Sequence, residues 1–177
     1  MADHRARQFL SAFRAVLFAW PLVATFTGAD PAGAVDDAND EPRHPATAHL
    51  QRLREHADEG SALAQYVLGA MYQLGEVVPQ DYTEAAKWFR RAADQDLAVA
   101  QFALGEMYAL GQGVPEDIVH AHMWLDLSGA HAARIVGAQK LARDAQEMRD
   151  TLARKMTPAQ VREAQKLARD WKPKPER

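Results

Sequence analysis

Apolar residues recur every three to four positions in two stretches of the chain that lie 36 residues apart. The first stretch carries Ala64, Leu68, Met71 and Tyr72, and the second carries Ala100, Leu104, Met107 and Tyr108. This spacing places each set along one face of an α-helix. The pattern therefore predicts two equivalent amphipathic helices, each with one buried stripe.

The similarity extends beyond the two stripes to a complete helix, loop and second helix. Aligning residues 57–88 with residues 93–124 gives 16 identities in 32 positions without a gap. Periods of roughly 20 to 50 residues are typical of solenoids, because one hairpin cannot bury its apolar face and must stack on its neighbours. We therefore predict two repeats, at about residues 57–92 and 93–128.

Glycine and aspartate mark where the helices of each repeat end and begin. Gly75 and Gly111 follow the apolar stripes, at the position where a left-handed C-terminal cap favours glycine. Asp81 and Asp117 stand where an N-cap acceptor would satisfy free backbone N–H groups. Each repeat is therefore expected to be a helical hairpin with a defined loop.

Two further glycine positions carry information about packing. Gly69 and Gly105 lie inside the first helices, where glycine costs roughly 1 kcal/mol relative to alanine. Their presence in both copies indicates a close approach by another helix backbone. Gly113 of the second loop is Val77 in the first, and a β-branched residue tolerates positive φ poorly. The two loops are therefore expected to differ in shape.

Helical spacing continues on both sides of the repeats. We expect residues 47–133 to hold a capping helix, over residues 47–57, followed by the two repeats. Residues 134–172 predict one long helix and then a C-terminal capping helix that starts after the N-cap Thr157. Residues 173–177 are expected to form a frayed tail.

The repeated residues resemble the Sel1-like repeat, a relative of the tetratricopeptide repeat. The matching positions are Ala62, Ala64, Gln65, Leu68, Gly69, Tyr72, Gly75, Val78, Asp81, Ala85 and Trp88, and then Ala98, Ala100, Gln101, Leu104, Gly105, Tyr108, Gly111, Gly113, Val114, Asp117, Ala121 and Trp124. The resemblance implies an all-α fold: a right-handed αα-superhelix (solenoid) of such hairpins with C-terminal capping helices. The ending of the chain, MTPAQVREAQKLARDW, also resembles the C-terminal cap of bacterial envelope proteins in this family.

The N-terminus predicts export. Three arginines precede an uncharged stretch, residues 15–29, and Ala32-Gly33-Ala34 offers a signal-peptidase pattern. We interpret residues 1–34 as a signal peptide and expect the protein in the periplasm of a Gram-negative bacterium. Cleavage after Ala29 and an uncleaved anchor are the alternatives. Residues 35–46 are acidic and poor in apolar side chains, which is typical of a disordered lead-in.

The sequence offers no catalytic constellation. There is no cysteine, no Walker motif, no nucleophile elbow and no HExxH, so we expect no metal and no cofactor. His120 and His122 are two positions apart, which points them to different helix faces, and we interpret them as surface histidines. Relatives that are rich in cysteine have been linked to β-lactam binding. That resemblance implies hairpins closed by disulfides, which this cysteine-free chain does not have.

Charge is unevenly spread along the chain. Residues 35–133 contain 6 basic and 16 acidic residues, whereas residues 134–177 contain 12 basic and 6 acidic residues. In the last predicted helix, acidic residues interrupt the basic face and no aromatic residue is interleaved for base stacking. We therefore interpret it as a solvated amphipathic face and expect no nucleic-acid partner.

The candidate binding residues lie on the first helix of each repeat and point away from the buried stripe, towards the concave side of the stack. They are Leu63, Tyr66, Ala70 and Gln73, followed by Val99, Phe102, Glu106 and Ala109. Tyr66 and Phe102 occupy equivalent positions and could anchor an extended peptide or a partner helix. The alternative is that both rings are buried between adjacent hairpins.

These observations favour a non-catalytic, exported adaptor that binds a protein or peptide through its concave face. We expect a monomer that has no membrane contact after signal cleavage. Two alternatives stay open: an envelope hydrolase or β-lactam-binding enzyme, and a membrane-tethered assembly factor.

Overall fold

Seven α-helices make up the part of the chain that the structure describes. This computed structural model describes residues 45–174, and no strand occurs within that range. The helices are α1 Pro45–Asp58, α2 Ala62–Leu74, α3 Tyr82–Asp94, α4 Ala98–Leu110, α5 Ile118–Ala132, α6 Gln139–Ala153 and α7 Pro158–Asp170. The predicted signal peptide and most of the predicted acidic lead-in lie outside the described residues.

The helices pack as a stack of hairpins. The helices α2 and α3 form the first hairpin, and α4 and α5 form the second. The helix α1 packs on α2, α3 packs on α4, and α5 packs on α6. The last helix, α7, packs against α5 and not against its chain neighbour α6. The predicted all-α helical-repeat solenoid is confirmed.

The predicted glycine and aspartate caps are found at the ends and starts of the repeat helices. Gly75 and Gly111 have φ of 72° and 64°, and each donates its backbone N–H to a carbonyl in the last turn of its helix. The carboxylates of Asp81 and Asp117 each accept hydrogen bonds from two backbone N–H groups of the next helix. These four caps set the loop of each hairpin.

The core lies between the two hairpins and extends under α7. Its largest fully buried side chains include Phe89 on α3, Leu104 and Met107 on α4, and Trp124 on α5. The other repeat tryptophan, Trp88, is partly buried and packs against a smaller cluster beside α1. Equivalent positions of the two repeats therefore differ in depth, because α6 and α7 both pack on α5, which carries Trp124, whereas α3, which carries Trp88, packs against α2 and α4.

The two helix-interior glycines occupy tight sites. A Cβ atom at Gly69 would lie 2.7 Å from the ring of Phe89. A Cβ atom at Gly105 would lie 2.9 Å from Cγ of Leu125 and 3.3 Å from the carbonyl oxygen of Ala121. The predicted approach of another helix backbone is therefore confirmed at Gly105. At Gly69 the three nearest atoms all belong to the ring of Phe89, so the close neighbour there is a side chain.

The two hairpin loops differ, as the sequence predicts. Gly113 has φ of 69°, and a Cβ atom there would collide with the backbone carbonyl of Tyr82 at the start of α3. Val77, at the same position of the first loop, does not adopt positive φ. Glycine at 113 thus lets the second loop rest on the first repeat.

The long helix predicted from residue 135 onwards is wrong at its start. The helix α6 begins only at Gln139, after a turn in which Gly137 has φ of 91°. Ile135, which the spacing places first on the apolar stripe of that helix, is 53% exposed, and its neighbour Val136 is 97% exposed. Helical spacing alone does not reveal this break, because the apolar residues before and after the turn continue the same spacing of three to four positions.

The start of the predicted frayed tail is attached to the repeats. Trp171 packs against the main core cluster, and the backbone N–H of Lys174 donates to the carbonyl oxygen of Asp94 at 2.6 Å. The prediction of fraying from residue 173 is therefore wrong for residues 173 and 174. Residues 175–177 lie outside the described residues.

Candidate functional site

The predicted binding row lies on α2 and α4, and its members differ in exposure. Leu63 is 64% exposed. The other seven residues are partly buried: Tyr66, Ala70, Gln73, Val99, Phe102, Glu106 and Ala109. The structure brings the row to the first helices of successive hairpins, as the repeat requires. Binding by these residues stays a prediction.

The two equivalent aromatic rings lie between successive hairpins. Tyr66 packs against the main core cluster, with its ring centroid 5.7 Å from that of Phe89. Phe102 packs against the cluster that contains Leu125 of α5 and Leu152 of α6. This placement is the alternative that the sequence left open. Each ring contributes to the contact between its own hairpin and the next one.

Glu106 is the electrostatically unusual member of the row. It occupies the position of Ala70 in the first repeat, and burial raises the pKa of its carboxyl to about 7, with a further contribution from Asp144 on α6. Burial also raises the pKa of Tyr66 to about 12, and the charge of Glu106 adds to that effect. Within residues 45–174, no hydrogen bond or ion pair engages the Glu106 carboxylate. The site thus holds an acidic group without a cation beside it.

Two leucines on the same helices were not predicted as part of the site. Leu74 and Leu110 are the last residues of α2 and α4, and they are 36% and 54% exposed. Leu63 and Leu74 are separated by eleven residues, or three turns, and therefore lie on the same side of α2. The sequence did carry a signal for these two residues: leucine occurs at this position in both copies. An apolar residue directly before a cap lies outside the buried stripe, so it was a candidate for an exposed position.

The histidines do not form a metal site in the described part of the chain. No group of three or more histidine, aspartate or glutamate residues between residues 45 and 174 has the arrangement of metal ligands. His120 is partly exposed, and its Nδ1 lies 2.6 Å from the carboxylate of Asp117. His122 is buried, and burial lowers the pKa of its imidazole. The interpretation of His122 as a surface residue is wrong, since α5 is covered on two sides.

A comparison with protein-family models decides the family. The model for the Sel1 repeat matches residues 62–97 and 98–131. The chain belongs to the Sel1-like repeat family. Each matched segment spans one hairpin of the structure, α2 with α3 and α4 with α5. Sel1 repeat proteins generally mediate protein–protein interactions and are generally non-catalytic.

One solved structure shows the same fold, and a second is similar in sequence. The protein c5321, a protective antigen present in uropathogenic Escherichia coli strains, has a crystal structure that displays an SLR fold. Its sequence is 32% identical to that of this Sel1-like repeat protein, and the two structures superpose with a TM-score of 0.60. That match covers 69% of this chain and 24% of the other chain. A Sel1 repeat protein from Oxalobacter formigenes is 36% identical over 51% of this chain and 26% of its own, with a TM-score of 0.47.

This Sel1-like repeat protein spans about a quarter of the length of these two solved chains. Among curated proteins, none matches the sequence significantly. Between residues 45 and 174, none of the helices has both the length and the apolar character needed to cross a bilayer.

Proposed function

We propose that this Sel1-like repeat protein is a non-catalytic adaptor that binds a peptide segment or a helix of a partner protein. Its binding surface is the outward side of the first helices α2 and α4, called here the first-helix face. The observation that carries the proposal is the exposure of three large leucines there, Leu63, Leu74 and Leu110, at 64%, 36% and 54%. Exposed apolar side chains grouped on one face are typical of protein interaction sites.

The spacing of these leucines suits an elongated ligand. Leu63 and Leu74 are about 16 Å apart along α2, which corresponds to three turns of a helix. Leu110 repeats the position of Leu74 on the next hairpin, so the apolar surface continues from one repeat to the next. A partner helix or extended segment that crosses both helices would cover all three side chains.

Glu106 supports one further feature of the ligand. Its carboxylate lies on the same face of α4 and has no cation beside it in the described residues. A lysine or arginine on the bound segment would compensate this buried negative charge. An apolar segment that carries one basic side chain is therefore the ligand that best fits the first-helix face.

We further propose that the protein is exported, with residues 1–34 removed. The support is the run of arginines, the uncharged stretch at 15–29 and the small residues Ala32-Gly33-Ala34. Mass spectrometry of the exported protein should find a mature N-terminus at Val35. An intact Met1 on the exported protein would favour a membrane-tethered assembly factor instead.

Binding can be tested by comparing variants in affinity capture from the envelope fraction of the source organism. The variant Leu63→Gln/Leu74→Gln/Leu110→Gln should lose the partner that the wild-type protein retains. All three residues are exposed, so its far-UV circular dichroism and melting temperature should change little.

The matched control replaces exposed apolar residues outside the first-helix face. The variant Ile135→Ser/Val136→Ser removes two such side chains from the turn between α5 and α6 and should retain the partner. Retention of the partner by both variants, or its loss from both, would contradict the assignment of the first-helix face. Substrate turnover by the purified wild-type protein would contradict the non-catalytic role.

A further inference from the structure

The turn between α5 and α6 exposes two neighbouring apolar side chains. Of the large apolar side chains in residues 45–174, that of Val136 is the most exposed, at 97%, and that of Ile135 is 53% exposed. Gly137 has φ of 91°, and a Cβ atom there would have no heavy atom within 4 Å beyond its chain neighbours. Residues 134–137, called here the apolar turn, therefore project into open space.

Backbone hydrogen bonds hold the apolar turn in one conformation. The N–H of Arg134 donates to the carbonyl oxygen of His131 at 3.0 Å, and the N–H of Ile135 donates to that of Ala132 at 3.1 Å. The N–H of Ala138 then donates to the carbonyl oxygen of Ile135 at 3.1 Å. A segment that is already ordered loses little conformational freedom on binding. The apolar turn is therefore preorganised to present its side chains to a complementary surface.

The apolar turn also presents one positive charge. Arg134 is exposed, and within residues 45–174 its guanidinium makes no ion pair or hydrogen bond. The sequence Arg134-Ile135-Val136 therefore combines exposed apolar side chains with one basic side chain. These are the features that the first-helix face favours in a ligand.

The spacing of charge and apolar groups agrees between the two surfaces. On α4, Glu106 lies one helical turn, about 6 Å, before Leu110. On the apolar turn, Arg134 and Val136 are two residues apart, so their Cα atoms are separated by at most about 7 Å. A turn that seats Val136 on Leu110 thus brings the Arg134 guanidinium within reach of the Glu106 carboxylate. Pairing with a cation would compensate this buried charge.

The wider charge distribution acts in the same direction. The apolar turn belongs to residues 134–177, which contain 12 basic and 6 acidic residues, whereas the first-helix face belongs to residues 35–133, which contain 6 basic and 16 acidic residues. Opposite net charges favour the approach of one surface to the other. The apolar turn and the first-helix face are therefore complementary in charge as well as in apolar character.

The two surfaces do not cover each other within one chain. Val136 is 97% exposed, and the three leucines of the first-helix face are between 36% and 64% exposed. Ala132 and Ala138, at the two ends of the turn, pack in one cluster with Ala98 of α4. The turn could not move onto the face of its own chain without unpacking that cluster. The complement of each surface must therefore come from another molecule.

We propose that this Sel1-like repeat protein self-associates, with the apolar turn of one copy seated on the first-helix face of the next. The inference rests on the first-helix face assigned above and names a second copy of the chain as a ligand of that face. The turn and the face are different surfaces, so each bound copy still presents one free turn or one free face and association continues beyond the dimer. The protein is then not the monomer that the sequence led us to expect. A partner segment of the same chemistry competes with the second copy for the face.

The test is analytical ultracentrifugation of the purified full chain at pH 8, at rising protein concentration. The mass-average mass of the wild-type protein should rise with concentration beyond that of a dimer. The turn variant Ile135→Ser/Val136→Ser and the face variant Leu63→Gln/Leu74→Gln/Leu110→Gln should each sediment as monomers. An equimolar mixture of the two variants contains one intact turn and one intact face, so it should form a complex of two chains and nothing larger.

The charge pair is tested by combining two variants. The variant Arg134→Gln should raise the dissociation constant of self-association about tenfold. In the background of Glu106→Gln, the same change should have little further effect, because the carboxylate that pairs with Arg134 is already absent. The matched control is Arg162→Gln, which removes an exposed positive charge from α7 and should leave self-association unchanged.

Three results would overturn the inference: a wild-type protein that stays monomeric, self-association that survives in either variant, or a mixture of the two variants that stays monomeric. An equal effect of Arg134→Gln with and without Glu106 would overturn the charge pair. None of these results decides the adaptor proposal, because affinity capture counts other proteins apart from copies of this chain. In that capture, Ile135→Ser/Val136→Ser should retain at least as much partner as the wild-type protein, since fewer first-helix faces are occupied by second copies.

Discussion

The variant Glu106→Gln should stabilise this protein, and the gain should depend on pH. Burial and the charge of Asp144 raise the pKa of Glu106 from 4.5 to about 7. A difference of about 2.5 units, at 1.36 kcal/mol each, corresponds to about 3 kcal/mol. This figure is an upper value, because the side chain is only partly withdrawn from water. We expect the free energy of unfolding to rise by about 1 to 3 kcal/mol at pH 8.

The direction of the pH dependence follows from proton binding. Between pH 4.5 and about 7 the folded protein holds a proton on Glu106 that the unfolded chain has already released. The wild-type free energy of unfolding therefore carries a contribution from Glu106 that falls as the pH rises through this window. Glutamine has no such contribution, so the advantage of Glu106→Gln should nearly vanish at pH 4.5 and be complete above pH 7.

Urea denaturation at pH 4.5, 6 and 8, followed by far-UV circular dichroism, measures this difference. The matched control is Glu116→Gln, which makes the same change of charge at an exposed residue and should stay within about 0.5 kcal/mol of the wild type. If Glu106→Gln were no more stable than this control at pH 8, Glu106 would not be a buried, unpaired carboxylate. An equal gain at all three pH values would point to packing and not to charge.

Two further predictions concern packing between the hairpins. The variant Gly105→Leu should lose about 1 to 3 kcal/mol of stability, because its side chain would meet Leu125 and the α5 backbone; a melting temperature equal to that of Glu116→Gln would contradict the close approach. The variant Tyr66→Ala/Phe102→Ala should melt at a clearly lower temperature, since truncating a buried aromatic ring costs about 3 to 5 kcal/mol and these rings are partly buried. A double variant with wild-type stability but lost partner capture would instead favour direct contact with the partner.

The sequence by itself determined the repeat architecture, because the signals are local. A buried stripe such as that of Leu104 and Met107 depends on spacing within three turns of one helix. A cap such as Asp117 or Gly111 acts on backbone groups within four residues of itself. Duplication at 36 residues then implied stacking, since one hairpin cannot bury its own apolar face. The outward row that begins at Leu63 followed from the same periodicity.

Only the tertiary structure decided how deeply each residue of that row is buried. Glu106 and Ala70 occupy equivalent positions, but Glu106 has α6 beside it and therefore an altered pKa. The sequence predicts His122 as a surface residue, but in the structure it is buried because α5 is covered on two sides. Exposure depends on which helix packs next, and repeats with the same pattern can have different neighbours.

The C-terminal part of the chain shows the same limit over longer distances. Asp96 and His131 are 35 residues apart, and Trp171 follows 40 residues later, yet all three meet at one junction. No local signal encodes that contact, because it arises when α7 packs back onto α5 instead of continuing the stack. Local sequence patterns therefore determine the helices and their caps, whereas the contacts between distant helices depend on how the last helices pack at the end of the solenoid.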